Sequence, residues 1–240
     1  MHTSTKTVAK LFEKHETLLC ILLIVIYLVS NSVCIQFFGE TSFCGFVVNT
    51  VLSLCLVGIM VALKKTSYYG LTKAENPKAH LYFAPLVVIV TVNLWNGFNI
   101  NNTPREIIFH ILTMINIGFI EEIIFRGFLF KMMAKSNIKS AIVVSAVTFG
   151  AGHVVNLING ADLIPTLIQI CYETSIGFLF VIIFNKSKSL VPCIVTHSLV
   201  NSLSIFNVEN TVSLYVAPVF LTIIPIVYAV YINKKTKASL

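Results

Sequence analysis

Charge is what this sequence has least of. Only 11% of its 240 residues are Asp, Glu, Lys or Arg, while 56% are hydrophobic, and the mean hydropathy is +0.87. That balance is too apolar for a soluble domain of this size. Internal repeats and low-complexity linkers are also missing, which argues for a single integral membrane domain over 1–240 and against the paired halves of many transporters. The six cysteines show no C-x-x-C spacing, so neither a thiol redox pair nor a cysteine metal knuckle is encoded. They read as buried, inert thiols, although Cys34 and Cys44 flank an outer loop where a disulfide could close. No H-E-x-x-H pair supplies two metal ligands from one helix.

What is present is a succession of long apolar runs. A transmembrane helix takes about 20 largely apolar residues, and eight such segments are expected, near 18–38, 44–63, 81–97, 106–130, 140–158, 163–184, 189–206 and 212–232. The first follows a polar lead and reaches spanning length without a small-residue cleavage site, so it is expected to be a span and not a cleaved signal peptide. The fold class is therefore an all-α polytopic bundle. The net charge of +7 does not point to nucleic acid, because position explains it. With both termini placed in the cytoplasm, every lysine falls on an inner segment, Arg105 alone lies in an outer loop, and Arg126 lies within a span. Thr103-Pro104-Arg105-Glu106 has the form of a capping box opening the fourth span, Asn159-Gly160 reads as a turn, and Asp162 stands where it can cap the sixth span.

The stretch FIEEIIFRGFLF, residues 119–130, breaks the apolar pattern. A charge at the centre of a span costs about 2.5–3.5 kcal/mol on insertion scales, so Glu121, Glu122 and Arg126 need partners. Glu122 and Arg126 are four apart and can pair on one face. Glu121 points about 100° away around the helix and needs another reason to be there. Two later spans supply candidates: His153 in FGAGHVVN, four residues after Phe149, and His197 with Asn201, one turn apart, in THSLVNSLS. Counting about 1.5 Å per residue from the flanking lysines puts Glu121, His153, His197 and Asn201 in one layer near mid-bilayer. Individually, each has a plainer explanation. Glu122–Arg126 is a structural bridge, an intramembrane His can bond a carbonyl, Asn201 can be interhelical glue, and Phe149 can be packing. Their common depth favours one polar cavity. Glu173 in ICYETSIGF can line the cavity or merely satisfy a partner, the latter being favoured, and His2, His15, His80 and His110 are given no role.

A carboxylate and an imidazole sharing one water can deprotonate it, while a second imidazole and an amide donate to the oxyanion formed as a carbonyl is attacked. The same residues also admit a catalytic Zn²⁺ held by Glu121, His153 and His197. Asn is a poor zinc ligand, so the metal-free scheme is favoured and no cofactor is assigned.

EEIIFR, FGAGH and HSLVN resemble, in order, the E-E-x-x-x-R, F-x-x-x-H and H-x-x-x-N motifs of the CAAX prenyl protease and bacteriocin-processing family of intramembrane endopeptidases, over about 106–206. The resemblance implies that Glu121, with His153, activates water. It implies also that Glu122 and Arg126 shape the site, and that His197 and Asn201 stabilise the oxyanion. It points to a peptide or lipidated-protein substrate met within membrane lipid, and to CAAX-type proteolysis, maturation of a bacteriocin or pheromone, or bacteriocin immunity. Compact size and short lysine-rich loops suit a bacterial cytoplasmic membrane, where prenylated substrates are not expected. A non-catalytic immunity or scaffold protein of the same fold, or a transporter or proton relay, are the rival readings.

Overall fold

A computed structural model describes residues 12–75 and 82–235. His2, His80, Lys6, Lys10, Lys78 and Lys237, together with the first residue of the expected third span, lie outside them. The described residues form helices and no strand: α1 (Glu16–Phe38), α2 (Phe43–Ala62), α3 (Ala84–Val90), α4 (Pro104–Glu122), α5 (Lys131–Ala134), α6 (Ile138–Gly152), α7 (Val155–Ile158), α8 (Leu163–Ser187), α9 (Val191–Leu203) and α10 (Ala217–Lys235). Six rods, Glu16–Phe38, Phe43–Ala62, Pro104–Ala134, Ile138–Ile158, Leu163–Ser187 and Val212–Lys235, are long and apolar enough to cross a membrane. The expected third and seventh spans are shorter helices, Ala84–Leu94 and Val191–Phe206. At 1.5 Å per residue they reach about 17 and 24 Å, against a hydrocarbon core of about 30 Å.

The helix ends follow their local chemistry. Thr103 and Glu106 close the capping box, the Glu106 amide donating to Thr103 Oγ1 and the Thr103 amide to Glu106 Oε2. Asn137 Oδ1 accepts from the amides of Lys139 and Ser140 to start α6. Asp162 does occupy the N-cap of α8, but its side chain makes no cap bond; its carbonyl takes the Thr166 hydroxyl instead. Gly160 has a φ of +94° in the turn before it, a conformation that favours glycine. All six cysteines are free, including Cys34 and Cys44.

Along the spans the exposed faces are apolar, while charges are buried inside. Leu18, Leu54, Val87 and Val219 are each more than half exposed, whereas Glu122 and Arg126 have no exposed surface. That inversion is what hydrocarbon as solvent requires. Inside, α8 packs against α6 and α10, and α4 packs against α9 and α2. Glycines set the two tightest approaches. A Cβ on Gly118 would lie 2.7 Å from the Ser198 amide nitrogen, and one on Gly150 would lie 2.7 Å from the Ile170 carbonyl oxygen. Small residues at such crossings let backbones meet, and dispersion between them holds membrane helices together. The Gly118 crossing brings α4, which carries Glu121, against α9, which carries His197.

Gly150→Ala is therefore expected to destabilise the fold by about 1–3 kcal/mol, the usual cost of overpacking. Gly58→Ala, where no atom would lie within 4 Å of the new Cβ, is expected to cost nothing. Thermal unfolding of both variants in detergent checks this, and equal stability would contradict the crossing argument.

Candidate active site

The site begins where the helix carrying the two glutamates changes pitch. After Glu122 the chain continues as a π-helical stretch over Ile123–Phe130, every residue of which is buried, before α5 resumes. Wider turns leave main-chain carbonyls less well placed for their own helix. One of them, Phe125 O, accepts the Ser145 hydroxyl of α6 at 2.9 Å.

Within this stretch Arg126 Nη1 donates to Glu122 Oε1 at 3.0 Å, with neither side chain exposed. The same carboxylate oxygen lies 3.0 Å from His197 Nδ1, so Glu122 joins α9 to the π-helical stretch. The other ring nitrogen, His197 Nε2, lies 3.3 Å from Glu121 Oε2. One imidazole thus spans both glutamates. The guanidinium carbon of Arg126 sits 3.9 Å from the Phe149 ring centre, a desolvated cation–π contact. Its Nε and Nη2 have no hydrogen-bond partner among the described residues. Gly177 leaves room for this stack, since a Cβ there would stand 3.1 Å from both Arg126 Nη2 and Phe149 Cδ1. Phe149 therefore does more than pack: its ring meets Arg126 on its face and the His153 and His197 rings at 5.6 and 5.7 Å.

Glu121, His153 and Asn201 line one cavity of about 170 Å³, together with Tyr27, Asn31, Ser32, Phe149, Asn156 and Asn159. That is room for more than one water. His153 stands at the end of α6, where its amide bonds Gly150 O and its Nδ1 lies 3.3 Å from Phe149 O. The helix expected to run unbroken through 140–158 is interrupted here, because the bonds at 153 and 154 reach back three residues rather than four. Among the described residues no hydrogen bond joins His153 to Glu121; the cavity lies between them. Asn201 is fixed through its carbonyl, 3.0 Å from His110 Nε2. His110 also meets Ser204 Oγ at 3.2 Å, so this buried histidine, given no role from sequence, holds the end of α9. A smaller cavity of about 20 Å³, the size of one water, is lined by Glu173, Phe149, Phe180, His197 and Asn201. Glu173 thus lines the site, the less favoured of its two expected readings.

The zinc scheme needs three ligands converging on one point. Among the described residues no group of three or more His, Cys, Asp or Glu is arranged to hold a metal ion. Glu121 and His197 approach each other, while His153 lines the same cavity with its Nδ1 at Phe149 O; no step is drawn through a metal.

Sequence reasoning missed Tyr27, whose hydroxyl donates to Glu121 Oε1. The available signal was the spacing of Tyr27 and Asn31, one turn apart on an otherwise apolar helix.

Removing one member of a buried ion pair strands the other, at a cost of about 3–5 kcal/mol, while replacing both by apolar groups is far milder. Arg126→Met alone is expected to unfold the protein at markedly lower temperature than Glu122→Met/Arg126→Met. A double variant no more stable than the single one would contradict the pairing.

A family model described as type II CAAX prenyl endopeptidase, Rce1-like, matches residues 103–203. No curated protein and no solved structure matches the chain. The matched segment contains all three motifs and every side chain of the bridge from Arg126 through Glu122 and His197 to Glu121, so over these residues the chain is similar to the type II CAAX prenyl endopeptidases.

Proposed function

We propose that this protein is an intramembrane endopeptidase in which Glu121 and His153 activate a water in the 170 Å³ cavity for attack on a peptide carbonyl. His197 and Asn201 donate to the resulting oxyanion. Glu122 and Arg126 hold His197 in place from its Nδ1 side. The observation that carries this reading is the imidazole of His197 set between two glutamates, beside a cavity that His153 and Asn201 also line. A carboxylate in a water-accessible cavity is the group a general base requires. Donors fixed before the reaction stabilise developing charge without reorganisation. As His197 Nε2 already faces Glu121, the oxyanion takes over that N–H as Glu121 takes the proton from water; Glu121 then hands the proton to the leaving amine.

The substrate is a peptide or lipid-modified protein chain that reaches the site from within the membrane. The family's printed description makes a prenylated C-terminus one candidate class, and maturation of a secreted peptide such as a bacteriocin or pheromone is the reading for a bacterial cytoplasmic membrane. The lysine distribution supports both termini on the cytoplasmic side.

With purified protein and internally quenched peptides, both unmodified and farnesylated with a CAAX ending, Glu121→Gln, His153→Ala and His197→Ala are each expected to lower cleavage by about 10²- to 10⁴-fold. Wild-type rates in all three would overturn the reading. Exhaustive chelation is expected to leave cleavage intact. Loss of activity that added zinc restores would contradict the metal-free scheme.

A further inference from the structure

A glutamate that deprotonates water has to present a free lone pair in a fixed direction, yet the last torsion of its side chain is broad and poorly restrained. One hydrogen bond leaves the carboxylate plane able to turn; two bonds, one on each oxygen, do not. In this structure Glu121 Oε2 faces His197 Nε2 and Glu121 Oε1 accepts from the Tyr27 hydroxyl. Tyr27 is 4% exposed and lines the same cavity as His153 and Asn201. It lies on α1, far outside the residues 103–203 that match the family.

We propose that Tyr27 is a positioning residue of the active site. It locks the plane of the Glu121 carboxylate so that the remaining lone pairs point into the cavity. This rests on the reading of Glu121 as the base. The helix that carries Tyr27 is anchored on both sides, as a positioning role demands. One turn further along, Asn31 Oδ1 accepts from Asn49 Nδ2 at 2.8 Å, and Asn49 is itself tied to Gly45 O at 2.9 Å. On the other side Ser32 Oγ donates to Asn159 Oδ1 at 2.6 Å. The phenol is therefore held between α2 and the segment following His153, and its hydroxyl has little freedom to leave Glu121. A role as interhelical glue alone would contribute to stability and leave turnover untouched.

Tyr27→Phe removes the hydroxyl and keeps the ring. With the full-length protein and the quenched peptides, kcat is expected to fall about ten- to hundredfold, the scale of a small misplacement of a reacting group, with KM within twofold and the thermal unfolding midpoint unchanged. Tyr215→Phe, an exposed tyrosine on the lipid side, is expected to change none of these. Alongside, the ¹³C carboxyl resonance of labelled Glu121 is expected to move in Tyr27→Phe and stay in place in Tyr215→Phe. If Glu121→Gln is inactive but Tyr27→Phe keeps the wild-type kcat, or loses activity only through KM or stability, the positioning role is wrong and the base assignment stands. If Glu121→Gln turns over at the wild-type rate, the base assignment falls and the positioning role falls with it. An unmoved Glu121 resonance in Tyr27→Phe overturns the proposal whatever the activity.

Discussion

Two carboxylates and a guanidinium in hydrocarbon are tolerable only if they satisfy one another, and one imidazole makes that arrangement work. His197 meets Glu122 at one nitrogen and Glu121 at the other, while Arg126 closes the chain on Glu122. Take away that imidazole and Glu121 loses the ring nitrogen it faces; take away Arg126 and Glu122 is left buried without its cation. The same constraint that makes these groups costly in a bilayer makes their geometry hard to disturb. A reaction that depends on fixed donors benefits from it.

The rest of the bundle can be understood as what brings those side chains to one place. Gly118 lets α4 approach α9 closely enough for the glutamates to reach His197. In the π-helical stretch after Glu122, Arg126 meets Glu122 and lies over the Phe149 ring, and Gly177 leaves the space that this stack occupies. Glycine at these points is a matter of distance rather than of backbone freedom. The break at His153 ends α6 at the cavity rather than carrying it past.

Much of this was legible in the sequence, and what was not has definite physical reasons. Glu122 and Arg126 are related by helical spacing, a local property, and their pairing could be read directly. The common depth of Glu121, His153, His197 and Asn201 could be counted from flanking lysines, because helices rise by a nearly constant amount per residue. Tyr27 could not be recovered by counting depth, because it carries no charge that needs a partner; only its spacing to Asn31 marks the face of α1 that meets the core. The π-helical stretch was invisible for a related reason: with all eight residues buried, there is no polar side to reveal a change of period. The short α3 and α9 read as full spans because hydropathy counts apolar residues and not the 3₁₀ turns, Val92–Leu94 and Ser204–Phe206, that end them.

The most direct test of the whole account is whether one imidazole touches both glutamates in a bilayer. Solid-state NMR on protein reconstituted in lipid, with ¹⁵N-labelled histidine and ¹³C-labelled glutamate carboxyls, reads through-space contacts between them. The account expects His197 Nδ1 to correlate with the Glu122 carboxyl and His197 Nε2 with the Glu121 carboxyl. A His197 ring in contact with neither, or with lipid, would contradict it.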